Sequence, residues 1–403
     1  MKRAVLFAFT VAGIALASPE GMAQRGPSTF PVIVVLRADA QLSGAAGEYV
    51  ADERARANPA AWGYVDRRVA GAVQALEARR GFKAEHVFSH ALRGFAARLT
   101  ARQIDELEND PGVAYVEADG TMSVIAQTIP WGIDRIDADL SSAAAGNGSG
   151  QVSAVNAYVI DTGVAKHADL NRAGHVNFAG GKNDDCHGHG THVAGTIAAR
   201  DNTSDVVGVA PGAPVTGVKV LGCNGSGSTS NVIKGVDWVT ANARKPAVAN
   251  MSLGGGISTA LDDAVRRSVA AGVFYALAAG NSGASACNAS PARAGAGTNN
   301  GILTVAATDS TDREASWSNY GTCVDIWAPG VSIVSTRRGG GTTAMSGTSM
   351  ASPHGAGGGA LVLSLTPGAL PSAVEAALKS SATTTAHLSK DGQVIKRLNV
   401  AGF

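Results

Sequence analysis

Residues 184–195 read DDCHGHGTHVAG and hold three histidines, a cysteine and two aspartates in twelve positions. Imidazoles this close together suggest a metal site, or a general base whose neighbours only pack. His187, His189 and His192 form H-x-H-x-x-H, and zinc accepts three histidines. Some zinc hydrolases use H-x-H-x-D-H, but Thr191 stands where that aspartate would be, and no later stretch offers an obvious second ligand set. Cys186 beside His189 is a third arrangement, a thiol next to a base. The base reading draws most support from the rest of the chain.

GHGTHVAGTIAA reads as a loop entering a helix, with His189 at its start between Gly188 and Gly190. Glycines there let the backbone turn sharply and approach other elements. A catalytic imidazole needs an acceptor on its second nitrogen, which fixes the tautomer and stabilises the imidazolium. Asp161, at the end of the apolar run NAYVID, is the candidate, although an aspartate before Thr-Gly is as readily a turn former. Ser349, in GTSMASPHGAGG, is the candidate nucleophile, although a serine at a helix start is more often a cap. Acyl transfer also needs donors for a developing oxyanion. Asn281 follows Gly280 and a buried strand in ALAAGNSGAS, where its amide can point to the same place as the Ser349 N–H. Each part alone is ordinary; together they describe an activated serine.

These residues need a scaffold. Short apolar runs (NAYVID, VTGVKVL, AVANMSL, GVFYALAAGN, ILTVAAT) alternate with helical stretches near 190–200, 229–243 and 259–271. Runs apolar on both faces are strands buried on both sides, and the alternation implies an α/β fold, a parallel sheet covered by helices. Loops at the strand ends are then the expected place for a site.

Residues 30–120 differ in pattern. FPVIVVLR is a buried strand, and Trp62, Val65, Val69, Val73 and Leu76 recur at helical spacing up to Arg80. Two strands around Leu92, a capping box from Thr100 to Gln103, a helix to Glu108 and the strand GVAYVEAD complete a small α+β, ferredoxin-like unit.

MKRAVLFAFTVAGIALASPEGMAQ opens with two basic residues, an apolar run and small residues, the pattern of a secretory signal peptide cut at about residue 23. The apolar run is shorter than the roughly 20 residues a membrane span needs. Export permits disulfides, and Cys186, Cys223, Cys287 and Cys323 allow three pairings. A net charge of +1 in 403 residues gives no field that would favour nucleic acid or an anionic membrane.

The order Asp161, His189, Ser349 and the motifs VIDTG, HGHGTHVAGT, NMSLGG, AAGNSG and SGTSMASPH resemble the subtilisin-like serine proteases (subtilases). PWGIDRID, VLGCNGSGSTSNVIKGVDWV, CNASPARAG and SNYGTCVDIWAPG are most similar to the proteinase K and aqualysin branch. ALRGFAARLTARQIDELENDPGVAYVEAD resembles the inhibitory propeptides of these enzymes. The resemblance implies a signal peptide at 1–23, a propeptide at 24–126 and a catalytic domain at 127–403, with self-cleavage within 122–127. It implies a secreted monomer that cuts protein and peptide substrates, is held by its own propeptide and uses no cofactor for catalysis.

By matched position it makes Asp161 the orienter, His189 the base, Ser349 the nucleophile and Asn281 an oxyanion donor. Gly225, Ser226 and Gly227 with Ser252, Leu253 and Gly254 would pair with an extended substrate, and Ala278, Ala279 and Gly280 would line an apolar side-chain pocket. Bridges Cys186–Cys223 and Cys287–Cys323 are implied, as is a structural calcium on Asp325 with carbonyls near Asn300 and Ile302. Two departures stand out. Gly355, Gly357, Gly358 and Gly359 interrupt what should be a buried helix, each costing about 1 kcal/mol against alanine. His187 stands where the family usually has asparagine.

Overall fold

The computed structural model describes residues 28–37, 48–51, 64–120 and 127–403. The signal-peptide assignment and nearly all of segment 122–127 lie outside them. The chain divides into two compact units, Met1–Ser123 and Val124–Phe403.

The first unit contains β1 (Thr29–Leu36), an antiparallel pair β2 (Tyr49–Ala51) and β3 (Tyr64–Asp66), α1 (Arg67–Arg80), β4 (Ala84–Phe88), β5 (Gly94–Thr100), α2 (Ala101–Glu108) and β6 (Val113–Ala118). Its antiparallel sheet runs β4-β5-β1-β6, the ferredoxin-like order. Val69, Val73 and Leu76 of α1 pack with Val34, Phe95 and Leu99. The helix begins later than the apolar spacing suggests, because the Asp66 carboxylate accepts from Arg68 N (2.9 Å) and caps it there. Val65 therefore belongs to β3, and Trp62 lies outside the described residues. Thr100 and Gln103 form the capping box of α2.

The second unit runs α3 (Trp131–Arg135), β7 (Asn156–Asp161), β8 (Arg172–Asn177), α4 (His189–Ala198), β9 (Val215–Lys219), α5 (Thr229–Asn242), β10 (Ala247–Met251), α6 (Thr259–Ala270), β11 (Phe274–Ala278) and β12 (Ile302–Thr308). β13 (Ile326–Pro329), β14 (Ile333–Thr336), β15 (Thr342–Met345), α7 (Thr348–Leu365), α8 (Pro371–Ser381), β16 (Thr383–Leu388) and β17 (Val394–Arg397) follow. Nine strands order as β16-β17-β13-β12-β11-β10-β7-β9-β8, parallel except for β16 on β17. Side chains alternate across this sheet. Ala157 and Val159 pack in the core that holds α4, α7 and α8, whereas Tyr158 and Ile160 pack in the core with α5 and α6. Burial on both sides explains the continuous apolar runs.

After β7 the chain moves to one edge through β8 and β9, then returns to the other side of β7 with β10. That reversal opens a crevice at the C-terminal ends of the strands. Both His189 and Ser349 start helices that pack on the same face, α4 and α7.

The glycines of α7 answer the helix-propensity objection. A Cβ on Gly357 would stand 2.5 Å from Val209 Cβ, and one on Gly359 would stand 2.5 Å from the Phe274 ring. Gly355 meets Leu303 and Val305, and Gly358 meets Leu378 and Val400, in the same way. The helix packs too closely for a side chain at Gly357 and Gly359 and tightly at Gly355 and Gly358, so tertiary contact replaces intrinsic propensity. Among the described residues no helix is long and apolar enough to cross a membrane.

Candidate active site

Asp161 is the last residue of β7 and its side chain is fully buried. Its Oδ1 accepts from Thr162 N at 2.6 Å and lies 2.8 Å from His189 Nδ1. This approach needs glycine at position 190, where a Cβ would stand 2.1 Å from Gly163 O. Gly188, just before α4, takes φ of +106°, which an L side chain rarely adopts. Burial pushes the His189 imidazolium down, but the charge and hydrogen bond of Asp161, with help from Asp185, hold it above the ordinary histidine value.

Ser349 is the second residue of α7. Its Oγ donates to Ser252 O (3.1 Å), and Ser252 Oγ donates to Ser349 O (2.7 Å). His189 is not among its hydrogen-bond partners; Ser252, to which it bonds, lines the same cleft as His189. Asn281 Oδ1 accepts from Thr348 N and Thr348 Oγ1 (2.8 and 2.9 Å). Two donors on the oxygen leave the NH₂ end of the amide as the free one, one residue from Ser349.

A cleft of about 450 Å³ is lined by His187, His189, Gly225, Ser226, Gly227, Ser252, Leu253 and Gly254 among others. The segments it draws on follow the C-terminal ends of β9 and β10. The side chains of Ala278 and Ala279 do not line this cleft: both are buried, and Ala279 packs in a cluster with Ala306 and Trp327. Gly280 N donates to Thr348 Oγ1 (3.0 Å), tying the Asn281 turn to the start of α7.

The three histidines of the opening motif separate. His192 is buried, its Nε2 2.9 Å from Ile333 O and 3.1 Å from Thr343 O, and burial pushes it down to about 4. His187 is exposed at the cleft, and His189 holds Asp161. Cys186 bonds Cys223, and Cys287 bonds Cys323, so no cysteine is left as a nucleophile among the described residues.

Asp185 carries a role that motif reading missed. Its Oδ1 accepts from Thr162 Oγ1, His187 N and Gly188 N, and its Oδ2 from Thr191 N and Oγ1. One buried carboxylate thus fixes the backbone on both sides of His189. Lys219, fully buried, donates to Thr162 O and Leu221 O (2.8 Å each) behind the same loop. An aspartate four residues before His189, within a run of polar residues, was the available signal.

The residues at Asp325 do not fit a calcium ion. Oδ1 accepts from Lys379 Nζ (2.8 Å) and Oδ2 from Thr304 N (2.9 Å). The same ammonium donates to Glu375 Oε1 (3.0 Å), and Glu375 Oε2 accepts from Gly301 N (2.7 Å), so a lysine cation stands beside residues 300–302. Asn300 Oδ1 accepts from Ile302 N (3.0 Å). The expectation came from the family match of Asp325 and took no account of a lysine 54 residues later.

Known proteins match both units. The subtilase family model matches residues 152–400, and the peptidase inhibitor I9 model matches residues 32–124. The chain is 48% identical over 339 residues to alkaline serine exoprotease A of Vibrio alginolyticus, covering 78% of this chain and 60% of that protein. It is 47% identical over 317 residues to an extracellular serine proteinase of Thermus sp. (strain Rt41A), covering 75% of this chain and 74% of that protein. The crystal structure of a cold adapted subtilisin-like serine proteinase is 44% identical with a TM-score of 0.60, over 67% of this chain and 97% of that one. On the strength of a family model that matches well over half its length, the chain belongs to the subtilase family.

Proposed function

We propose that the chain is the zymogen of a secreted serine endopeptidase, with residues 1–23 as signal peptide, 24–126 as inhibitory propeptide and 127–403 as the catalytic domain. The observation that carries it is the 2.8 Å pairing of His189 with a fully buried Asp161 on the wall of a cleft that Ser252 connects to Ser349. The substrate lies as an added strand against Gly225–Gly227 and Ser252–Gly254. Ser349 Oγ leaves Ser252 O and attacks the scissile carbonyl while His189 takes its proton. Catalytic hydrogen bonds often tighten only when substrate is bound. The amide of Asn281 and the Ser349 N–H hold the oxyanion; losing one such donor costs about 3–4 kcal/mol in the barrier. His189 then gives its proton to the leaving amine, and water, deprotonated by the same imidazole, releases the acyl group. Nothing in these steps calls on a cofactor.

Among the described residues the cleft lining contains no aspartate, glutamate, lysine or arginine and includes Leu221, Val232, Leu253 and Leu261, which supports a broad preference for apolar side chains. The match to an I9 inhibitor domain and the name of the extracellular serine proteinase of Thermus support a propeptide that is cut from a secreted chain. Purified protein is treated with a fluorophosphonate and assayed on peptides. Labelling of Ser349, and loss of hydrolysis in a folded Ser349→Ala variant, are expected; an active Ser349→Ala variant would end the proposal. N-terminal sequencing of active enzyme should give a start within 122–127.

A further inference from the structure

Asn281, the oxyanion donor of the proposed mechanism, is exposed and stands on a turn, residues 279–284, that has no strand or helix of its own. Thr348 fixes the oxygen of its amide but does not hold the backbone of the turn. A second amide does. Asn319 is 3% exposed. Its Oδ1 accepts from Ser282 N (3.0 Å) and Ala284 N (3.1 Å), its Nδ2 donates to Ala279 O (2.9 Å), and its N–H donates to Gly280 O (2.8 Å). These four bonds hold the backbone on both sides of Asn281, and none of them goes to Asn281 itself. The approach needs glycine at position 280, where φ is +106° and a Cβ would stand 2.3 Å from Asn319 Nδ2.

Asn319 is itself clamped. Trp317 O accepts from Gly283 N (2.8 Å), and Tyr320 N donates to Ala284 O (3.1 Å), so residues 317–320 run along the turn. Lys390, between β16 and β17, donates to the carbonyls of Ala315 (3.2 Å), Ser316 (2.9 Å) and Ser318 (2.7 Å). The same ammonium lies 2.9 Å from the Glu314 carboxylate, whose side chain is 4% exposed. Three carbonyls and a carboxylate turned toward one cation leave the segment that carries Asn319 little freedom to shift. An oxyanion donor works only if it is in place before charge develops, and a displacement of about 1 Å costs on the order of a hundredfold in rate.

We infer that Asn319 is a positioning residue of the reaction, which holds the Asn281 amide where the oxyanion forms. The inference rests on the catalytic reading above. Loss of Asn319 should lower kcat with KM nearly unchanged, because the substrate pairs with other segments.

The test is a double-mutant cycle of Asn281→Ala and Asn319→Ala, in enzyme matured by a trace of tagged wild type that is then removed. Active sites are counted by exhaustive fluorophosphonate labelling. Asn281→Ala alone should lower kcat by about 10²- to 10³-fold. Asn319→Ala should lower it about ten- to hundredfold in the wild-type background, and by less than about threefold once Asn281 is gone. A peptide aldehyde, whose adduct carries the oxyanion, should bind Asn319→Ala more weakly by the factor that kcat loses, while a product peptide binds as it does to wild type. Wild-type kcat in Asn319→Ala, or equal fold losses in both backgrounds, overturns the inference. Asn319→Ser, smaller but polar, goes through the same cycle; if neither variant folds, Asn319 is a brace of the fold and the inference falls. An Asn281→Ala enzyme as fast as wild type would instead remove the catalytic reading of that residue, and this inference with it.

Discussion

Asp161 ends β7 and Asp325 immediately precedes β13, so the two carboxylates stand at opposite ends of one parallel sheet. Their side chains are 0% and 7% exposed, and each has one basic partner at 2.8 Å. The partners differ in kind. His189 can gain and lose a proton near neutral pH, and it sits at a cleft. Lys379 keeps its charge and is shared with the buried Glu375. The same element of structure, a buried carboxylate against a base, serves chemistry in the proposed mechanism at the C-terminal end of the strands and cross-bracing at the N-terminal end. The α7 helix joins the two, with Ser349 in its first turn at the first end and Phe274, at the start of β11, reached by Gly359.

Four measurements would break or sharpen this contrast. Asp161→Asn should lower kcat by about 10⁴-fold through loss of the correct histidine tautomer, with an unchanged unfolding midpoint. A large loss of stability instead would make Asp161 a brace like its counterpart. Lys379→Met should do the reverse. It leaves a buried carboxylate unpaired and should cost about 3–5 kcal/mol in urea unfolding, with kcat/KM per active site unchanged. Burial already pushes Asp325 up to about 6, and a raised carboxylate contributes stability at low pH that is lost as the pH rises through the folded value. The gap between this variant and wild type should therefore narrow on acidification.

The third measurement sets His189 against the histidines that only pack. Burial pushes His192 and His354 down to about 4. A lowered histidine contributes stability that is complete above its unfolded value near 6.5 and is lost as the pH falls through the folded value. Each should remove about 3 kcal/mol between those limits. Urea midpoints of the Ser349→Ala protein from pH 7 to 4 check this, with self-digestion abolished. His189, raised rather than lowered, acts with the opposite sign, and its activity requires it neutral. The smallest effect is expected for Gly359→Ala. Alanine ordinarily stabilises a helix interior by about 1 kcal/mol, but the Phe274 ring should turn that into a loss of about 1–3 kcal/mol by differential scanning calorimetry.

Much of the site could be read before any coordinates because its chemistry depends on local sequence. Asp161, His189, Ser349 and Asn281 all stand at the junction of an apolar run and a Gly-rich turn, and such junctions are written in consecutive residues. The alternation of strands and helices was legible for the same reason. What escaped were partnerships across long separations between residues of ordinary type. Lys379 with Asp325 spans 54 positions, and nothing near either residue announces it. The burial of the Ala279 side chain just after β11, in one cluster with Trp327, likewise depends on neighbouring strands and not on the local motif. The glycines of α7 looked like a weakness because helix propensity is local while the cause, the closeness of Val209 and Phe274, is not.

Cys186 and Cys223 are 37 residues apart, and their bond joins the wall that carries two imidazoles to the rail on which a peptide would lie. An oxidant is therefore one of the tools that cuts this keyhole to shape. In reducing surroundings wall and rail would be joined covalently only the long way round, through α4, β9 and the turns between them, and their spacing would no longer be set by a covalent clamp.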